Sequence, residues 1–294
     1  MQIVRSIDEM RQLRRTMRTT DPAKTVGLVP TMGALHEGHL SLVRAAKKRC
    51  GHVVATVFVN PLQFGPGEDF GRYPRTFDAD CALLEREGVD VLFAPAADEM
   101  YPAGAETVVD LPQLGARLDG ASRPGHFRGV ATVVTKLFHI VHPCFAFFGQ
   151  KDAAQVAVLR RMVRDLNFDL EIVVCPTLRD SDGLALSSRN RYLGSDDRQN
   201  ALAISHALRH VEEAVAKGCA EAPHLRSALQ EELKAAAGIR LDYAEIIDPH
   251  SLQPVEDLSV GALVAVAAWV GETRLIDNVL LAPVTVAEQT GAAR

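Results

Sequence analysis

Thr25-Val26-Gly27-Leu28-Val29-Pro30-Thr31-Met32-Gly33-Ala34-Leu35-His36-Glu37-Gly38-His39 is the stretch that decides the fold. Thr25 to Val29 is a short apolar run and reads as a buried strand. Beyond the turn, Leu40, Val43 and Ala46 recur at three-residue spacing, which predicts a helix from His39 to Arg49. The turn between them, Pro30 to His39, sits at the mouth of that helix, so its backbone N–H groups and the helix dipole point at whatever binds there. Such a turn is a ready anion site. Gly33 and Gly38 let a ligand approach the backbone closely. His36 and His39 fall on one face of the helix start, and two imidazole donors suit the oxygens of a polyphosphate. A Walker loop is excluded, because no Gly-Lys-Ser or Gly-Lys-Thr occurs. A zinc-protease site needs its histidines at four-residue spacing with Glu after the first, and these are three apart.

Outward from this turn, short apolar strands alternate with amphipathic helices. Strands are predicted at Val53–Val59, Val89–Phe93, Cys144–Phe148 and Glu171–Val174, and helices at Phe77–Glu87, Gly129–Val141 and Ala153–Asp165. Strands too continuously apolar to have a wet face imply a parallel sheet covered on both sides. Ligands of such sheets bind beyond the carboxyl ends of the strands. After Pro176 the character changes. Thr177 to Leu193 is polar and irregular, two helices follow (Ser195–Lys217 and Pro223–Ala237), then strand-like runs at Leu241–Ile247, Leu263–Val270 and Arg274–Leu281. The expected architecture is therefore α/β: a Rossmann-like, doubly wound parallel sheet over residues 1–177 and a smaller C-terminal α+β domain over 178–294.

The chain has 294 residues and a formal net charge of −5, so a whole-surface affinity for nucleic acid or an anionic membrane is not expected, and an anionic ligand needs a local positive site. The five cysteines (Cys50, Cys81, Cys144, Cys175, Cys219) have no close pair and read as buried hydrophobes of a reducing compartment. Residues Met1 to Arg18 are interrupted by charges and lack a signal-peptide core, and the longest purely apolar run, Ala262 to Val270, is far short of a membrane span. A cytoplasmic enzyme is expected.

The His36-Glu37-Gly38-His39 turn resembles the signature of the nucleotidyltransferase superfamily, which includes the class I aminoacyl-tRNA synthetases. Further segments narrow the resemblance: Phe58-Val59-Asn60-Pro61-Leu62-Gln63-Phe64-Gly65, Arg72-Tyr73-Pro74-Arg75-Thr76, Phe148-Gly149-Gln150-Lys151-Asp152, and Asp182-Gly183-Leu184-Ala185-Leu186-Ser187-Ser188-Arg189-Asn190. In this order and spacing they resemble the pantoate–β-alanine ligase family from Val26 to Leu193, and more weakly to Leu281.

The resemblance implies an ATP-dependent, AMP-forming condensation of (R)-pantoate with β-alanine through a pantoyl adenylate, with Mg²⁺ accompanying ATP and a homodimer formed through the N-terminal domain. It implies ATP contacts from Met32, Gly33, Ala34, Leu35, His36, Glu37, Gly38 and His39, from Gly149, Gln150, Lys151 and Asp152, from Leu178, and from Leu186, Ser187, Ser188 and Arg189. Gln63 is expected to touch pantoate and β-alanine, and Gln155 pantoate. The basic run Arg123 to Arg128 adds Arg123 as a pantoate candidate. The catalytic set is His39, treated as proton donor, with His36, Lys151 and Arg189 supplying donors and positive charge against the charge that moves onto the leaving diphosphate. No protein metal ligand is expected. The family usually has Glu at Gln150, and an aromatic residue and Gln at Ala153 and Ala154; these departures bear on pocket packing and affinity, not on the reaction type. Two competing readings stand beside this one: another nucleotidyltransferase that adenylylates a phosphorylated acceptor, and a nucleotide sensor without catalysis.

Overall fold

The computed structural model describes residues 1–21 and 23–284, which fold as two compact units. The first comprises Met1–Arg179 and Leu186–Ser188; the second comprises Asp180–Ala185 and the chain from Arg189 onward.

In the first unit the order is β1 (Gln2–Val4), α1 (Ile7–Thr20), β2 (Val26–Thr31), α2 (Glu37–Arg49), β3 (His52–Val57), α3 (Phe77–Arg86), β4 (Val91–Phe93), the single turns α4 (Ala97–Met100) and α5 (Asp119–Ser122), α6 (His126–Val141), β5 (Phe145–Gly149), α7 (Ala153–Asp165) and β6 (Glu171–Cys175). The six strands form one parallel sheet in the order β1-β4-β3-β2-β5-β6. The chain leaves β2 on one side for β3 and β4 and returns on the other side as β5. The strand order therefore reverses at β2, and its carboxyl end opens onto the crevice where such sheets bind ligands. Along β2 every residue but Pro30 is buried, as a strand covered on both faces requires. Leu42 and Val43 of α2, Leu84 of α3, Leu92 of β4 and Phe147 of β5 share one buried cluster. Complete burial of a side chain of this size stabilises by roughly 1.5–3 kcal/mol.

Neither β1 nor α1 is evident from apolar periodicity. β1 has only three residues, too few for periodicity. The helix α1 carries arginines at 11, 14, 15 and 18 that blur its apolar stripe, and only Met10 and Met17 are buried. Its signal was a capping box: the Ser6 hydroxyl accepts from Glu9 N–H at 3.2 Å, and the Glu9 carboxylate accepts from Ser6 N–H at 3.3 Å.

The second unit holds α8 (Ser195–Ala216), α9 (Ala222–Ala235) and an antiparallel sheet β7 (Ile239–Ile247), β8 (Ala262–Val270) and β9 (Thr273–Leu281), with β8 central. Leu208, Leu229, Leu233, Val264 and Val266 form its core. The sheet and helices give the small α+β unit that the sequence implied. Among the described residues the cysteines are free thiols, and no helix is long and apolar enough to cross a membrane.

Candidate active site

The turn after β2 is built by left-handed backbone. Gly33 has φ +83° and Ala34 has φ +50°. A Cβ on Gly33 would stand 2.9 Å from an Asp80 carboxylate oxygen, so glycine is required by space as well as by φ. The hydroxyl of buried Thr31 donates to Thr56 C=O at 2.6 Å and accepts from Gly33 N–H at 3.1 Å, which ties the start of the turn to the end of β3.

His36, in extended conformation, is the N-cap of α2, a role that usually falls to Ser, Thr, Asp or Asn. This is why the helix begins at Glu37, two residues ahead of the predicted start at His39. His36 Nδ1 accepts from Gly38 N–H at 3.2 Å, and His39 Nδ1 accepts from His36 N–H at 3.4 Å. With each Nδ1 acting as acceptor, both rings carry their proton on Nε2. The rings lie 4.2 Å apart, tilted by 45°. Gly38 makes room for this, since a Cβ there would meet the His36 ring at 2.8 Å. Desolvation, then His36, then Lys151 lower the His39 pKa from 6.5 to about 3, so that ring is neutral at pH 7.

One expectation is corrected here. The amides of Ala34 and Leu35 do not face an outside anion: they donate to the Asp80 carboxylate at 3.0 and 2.8 Å. The amides of Gly33, His36 and Gly38 are likewise engaged within the protein.

Gln63 stands beside this turn. Its Nε2 donates to the Met32 sulfur at 3.0 Å, and its Oε1 accepts from Asn60 Nδ2 at 3.1 Å. Buried Asn60 also donates to Gly129 C=O at 3.1 Å and accepts from Tyr101 Oη at 2.9 Å. Helix α6 presses on this segment so closely that a Cβ at Gly129 would lie 2.1 Å from Leu62 O. Asn60 and Tyr101 were not singled out from sequence. Asn60 lies within the Phe58–Gly65 segment, but Tyr101 comes to it from 41 residues away.

On the other side of β2, β5 ends at Gly149, and a 3₁₀ turn over Gln150–Asp152 leads into α7. Half-buried Lys151 is near enough to His39 to depress its pKa. Ala153 and Ala154 are buried at the start of α7, with half-buried Gln155 next to them. Leu178 C=O accepts from Leu186 N–H at 2.9 Å, and the Ser188 hydroxyl donates to Ala34 C=O at 3.1 Å, which fastens Leu186–Ser188 to the histidine turn. Arg189 belongs to the second unit. Exposed Glu37 pairs with Arg44 on the surface of α2. Arg123 grips Glu68 with two contacts of 2.7 and 2.6 Å and donates to Gln63 C=O at 3.2 Å. Burial opposes ionisation of Glu68, but the Arg123 guanidinium holds its pKa below the usual range. Next to Arg123, His126 has its pKa lowered to about 4, first by desolvation and then by Arg123.

A pantoate–β-alanine ligase family model matches residues 2–280. The pantothenate synthetase of Acidobacterium capsulatum is 64% identical over 88% of this chain and 86% of its own length. That of Koribacter versatilis is 54% identical over 96% of both chains. The crystal structure of pantothenate synthetase from Thermus thermophilus superposes with a TM-score of 0.89 at 48% identity, covering 96% of this chain and all of that one. Pantoate–β-alanine ligase from Francisella tularensis, solved in complex with beta-gamma ATP and β-alanine, superposes with a TM-score of 0.77 at 34% identity, covering 95% of this chain and 97% of that one. A parallel sheet flanked by helices, a histidine turn at its reversal point and these relatives define an ATP-using ligase. The chain belongs to the pantoate–β-alanine ligase family.

Proposed function

We propose that the chain joins (R)-pantoate to β-alanine in two steps through an enzyme-bound pantoyl adenylate. Ligation at the expense of ATP follows from the family. The route rests on the geometry of the histidine turn. In the first step a pantoate carboxylate oxygen attacks the α-phosphorus of ATP, the bond to the β-phosphate breaks, and diphosphate leaves. In the second, the amine of β-alanine attacks the activated carbonyl, loses a proton, and expels AMP as the amide forms.

The observation that carries this reading is the pair of imidazoles whose Nδ1 atoms accept backbone N–H groups, leaving Nε2–H as the donor of each ring. Because the His39 pKa is about 3, the ring serves as a neutral hydrogen-bond donor to a phosphate oxygen and not as a charged acid. Donors fixed before the reaction stabilise charge as it develops and need no reorganisation. Lys151 adds positive charge on the β5 side, and Arg189 is assigned to the phosphates by the family pattern. Gln63, its amide oriented by Asn60 and Met32, is assigned to pantoate and β-alanine, and Gln155 to pantoate. Arg123, held by Glu68, is assigned to the loop that it grips in preference to pantoate.

Mg²⁺ would neutralise phosphate charge. Among the described residues no three His, Cys, Asp or Glu side chains are grouped as metal ligands, so the residues present suit an ion carried by the triphosphate and water, not a protein cage.

A single-turnover experiment tests the two-step route. Enzyme, ATP, Mg²⁺ and pantoate should release one equivalent of diphosphate per site before β-alanine is added. Diphosphate that appears only after β-alanine would overturn it. We also infer a homodimer. Light scattering at micromolar protein should give about twice the 31.9 kDa chain mass, and a value at the chain mass would refute it.

A further inference from the structure

Asp80, on the first turn of α3, is a carboxylate with 1% exposure that no ion pair neutralises among the described residues. Three donors converge on it. Oδ2 accepts from Ala34 N–H at 3.0 Å, and Oδ1 accepts from Leu35 N–H at 2.8 Å and from the Thr76 hydroxyl at 3.2 Å. Successive amides of a turn with left-handed residues form a concavity that suits an anion. Here the protein fills that concavity with its own carboxylate.

We infer that Asp80 is the positioning residue of the histidine turn: it holds the left-handed Gly33–Ala34 backbone in place, sets where the His36 and His39 rings stand, and registers the end of the Phe64–Thr76 loop against them. The inference deepens the ligase reading and rests on it. Ala34 would otherwise leave φ +50°, a region that side chains disfavour. His36 follows two residues later and caps α2, so any relaxation at Ala34 is passed to both imidazoles. Thr76 is the N-cap residue of α3 and closes the Phe64–Thr76 loop. One carboxylate thus joins the segment that covers the site to the segment that donates to phosphate. Asp80 touches no reacting atom in this scheme; it acts through the backbone.

The test is Asp80→Asn. The new amide keeps one acceptor but turns an NH₂ toward a backbone N–H, so one of the two turn contacts becomes repulsive. Misplacing a catalytic group by about 1 Å costs on the order of 100-fold, and kcat for pantoate-dependent ATP–diphosphate exchange should fall by roughly 10- to 100-fold. The KM for β-alanine should stay within about twofold, because that substrate enters after the histidines have acted. Imidazole ¹⁵N signals of His36 and His39 should shift in the folded variant, which a purely structural role elsewhere would not produce. A folded Asp80→Asn enzyme with wild-type kcat and unshifted imidazole signals would overturn the inference. Should that variant fail to fold, Thr76→Val removes only the third donor; it should lower kcat severalfold at constant KM for β-alanine, and an unchanged kcat would overturn the inference equally. Wild-type protein run in parallel separates the two levels, since absence of exchange there would refute the ligase reading itself.

Discussion

Replacing His39 with alanine should lower pantoate-dependent ATP–diphosphate exchange by about 100- to 1000-fold while the protein stays folded, the usual cost of one preorganised donor to a developing charge. Among the described residues the ring is tied to the backbone by a single long contact, 3.4 Å from His36 N–H, so its loss leaves the His36–Gly38 cap and the Asp80 contacts standing. The fold should therefore survive, and circular dichroism with a melting curve checks this. His39→Asn, which restores a short neutral donor, should recover part of the rate. Because the ring titrates near 3, the loss should be similar at pH 6 and pH 8. A folded alanine variant with near-normal exchange would remove His39 from the chemistry. A loss that appears only below pH 7 would show that its charged form, and not its neutral form, matters.

What the sequence revealed, and what it hid, divides by distance along the chain. The strand, the two glycines and the histidines of residues 25–39 are local, and each acts through its own backbone: a buried run, a positive φ at Gly33, a cap at His36. Continuously apolar strands likewise announced a parallel sheet. Asp80 is hidden because its backbone partners Ala34 and Leu35 lie 46 and 45 residues away, and nothing near it in sequence distinguishes it from the surface acids Asp78 and Glu85. The basic run makes Arg123 a pantoate candidate in the sequence, because Glu68, its counter-charge, lies 55 residues upstream and out of local view. The turn differs from its local reading for the same reason: two of the amides that residues 25–39 offer to a ligand are taken by an internal carboxylate from outside that stretch. Helix α1 is the exception. Its capping box was local and legible, and the arginines of its exposed face obscured it.

The segment Phe64 to Thr76 should prove to be a cover for the adenylate. It is longer than ordinary strand-to-helix connections and carries one 3₁₀ turn, Asp69–Gly71. Its aromatic rings pack on one another: Phe64 lies 5.3 Å from the Phe70 ring and 5.9 Å from the Tyr73 ring, and Arg75 stands 5.6 Å over Phe70. Among its attachments are the Glu68–Arg123 pair and the contact of Thr76 with Asp80. Arg123 also donates to the carbonyl of Gln63, so the cover is tied to the residue assigned to both substrates. An acyl adenylate is prone to hydrolysis, and an enzyme that makes one must exclude water until the amine arrives. Replacing Glu68–Arg72 with a short glycine linker removes the clasp and the Phe70 ring but leaves Gln63, His36, His39 and Lys151 in place. ATP binding should change little. With pantoate and ATP but no β-alanine, AMP release should rise on the order of tenfold, the effect of opening a path to water about 1.4 kcal/mol lower in barrier. Glu68→Gln, which keeps the loop but weakens its hold on Arg123, should give a smaller leak in the same direction. AMP and pantothenate are measured in the same samples. A shortened-loop enzyme that still forms one pantothenate for each AMP, with no release when β-alanine is withheld, would show that water is excluded by other means.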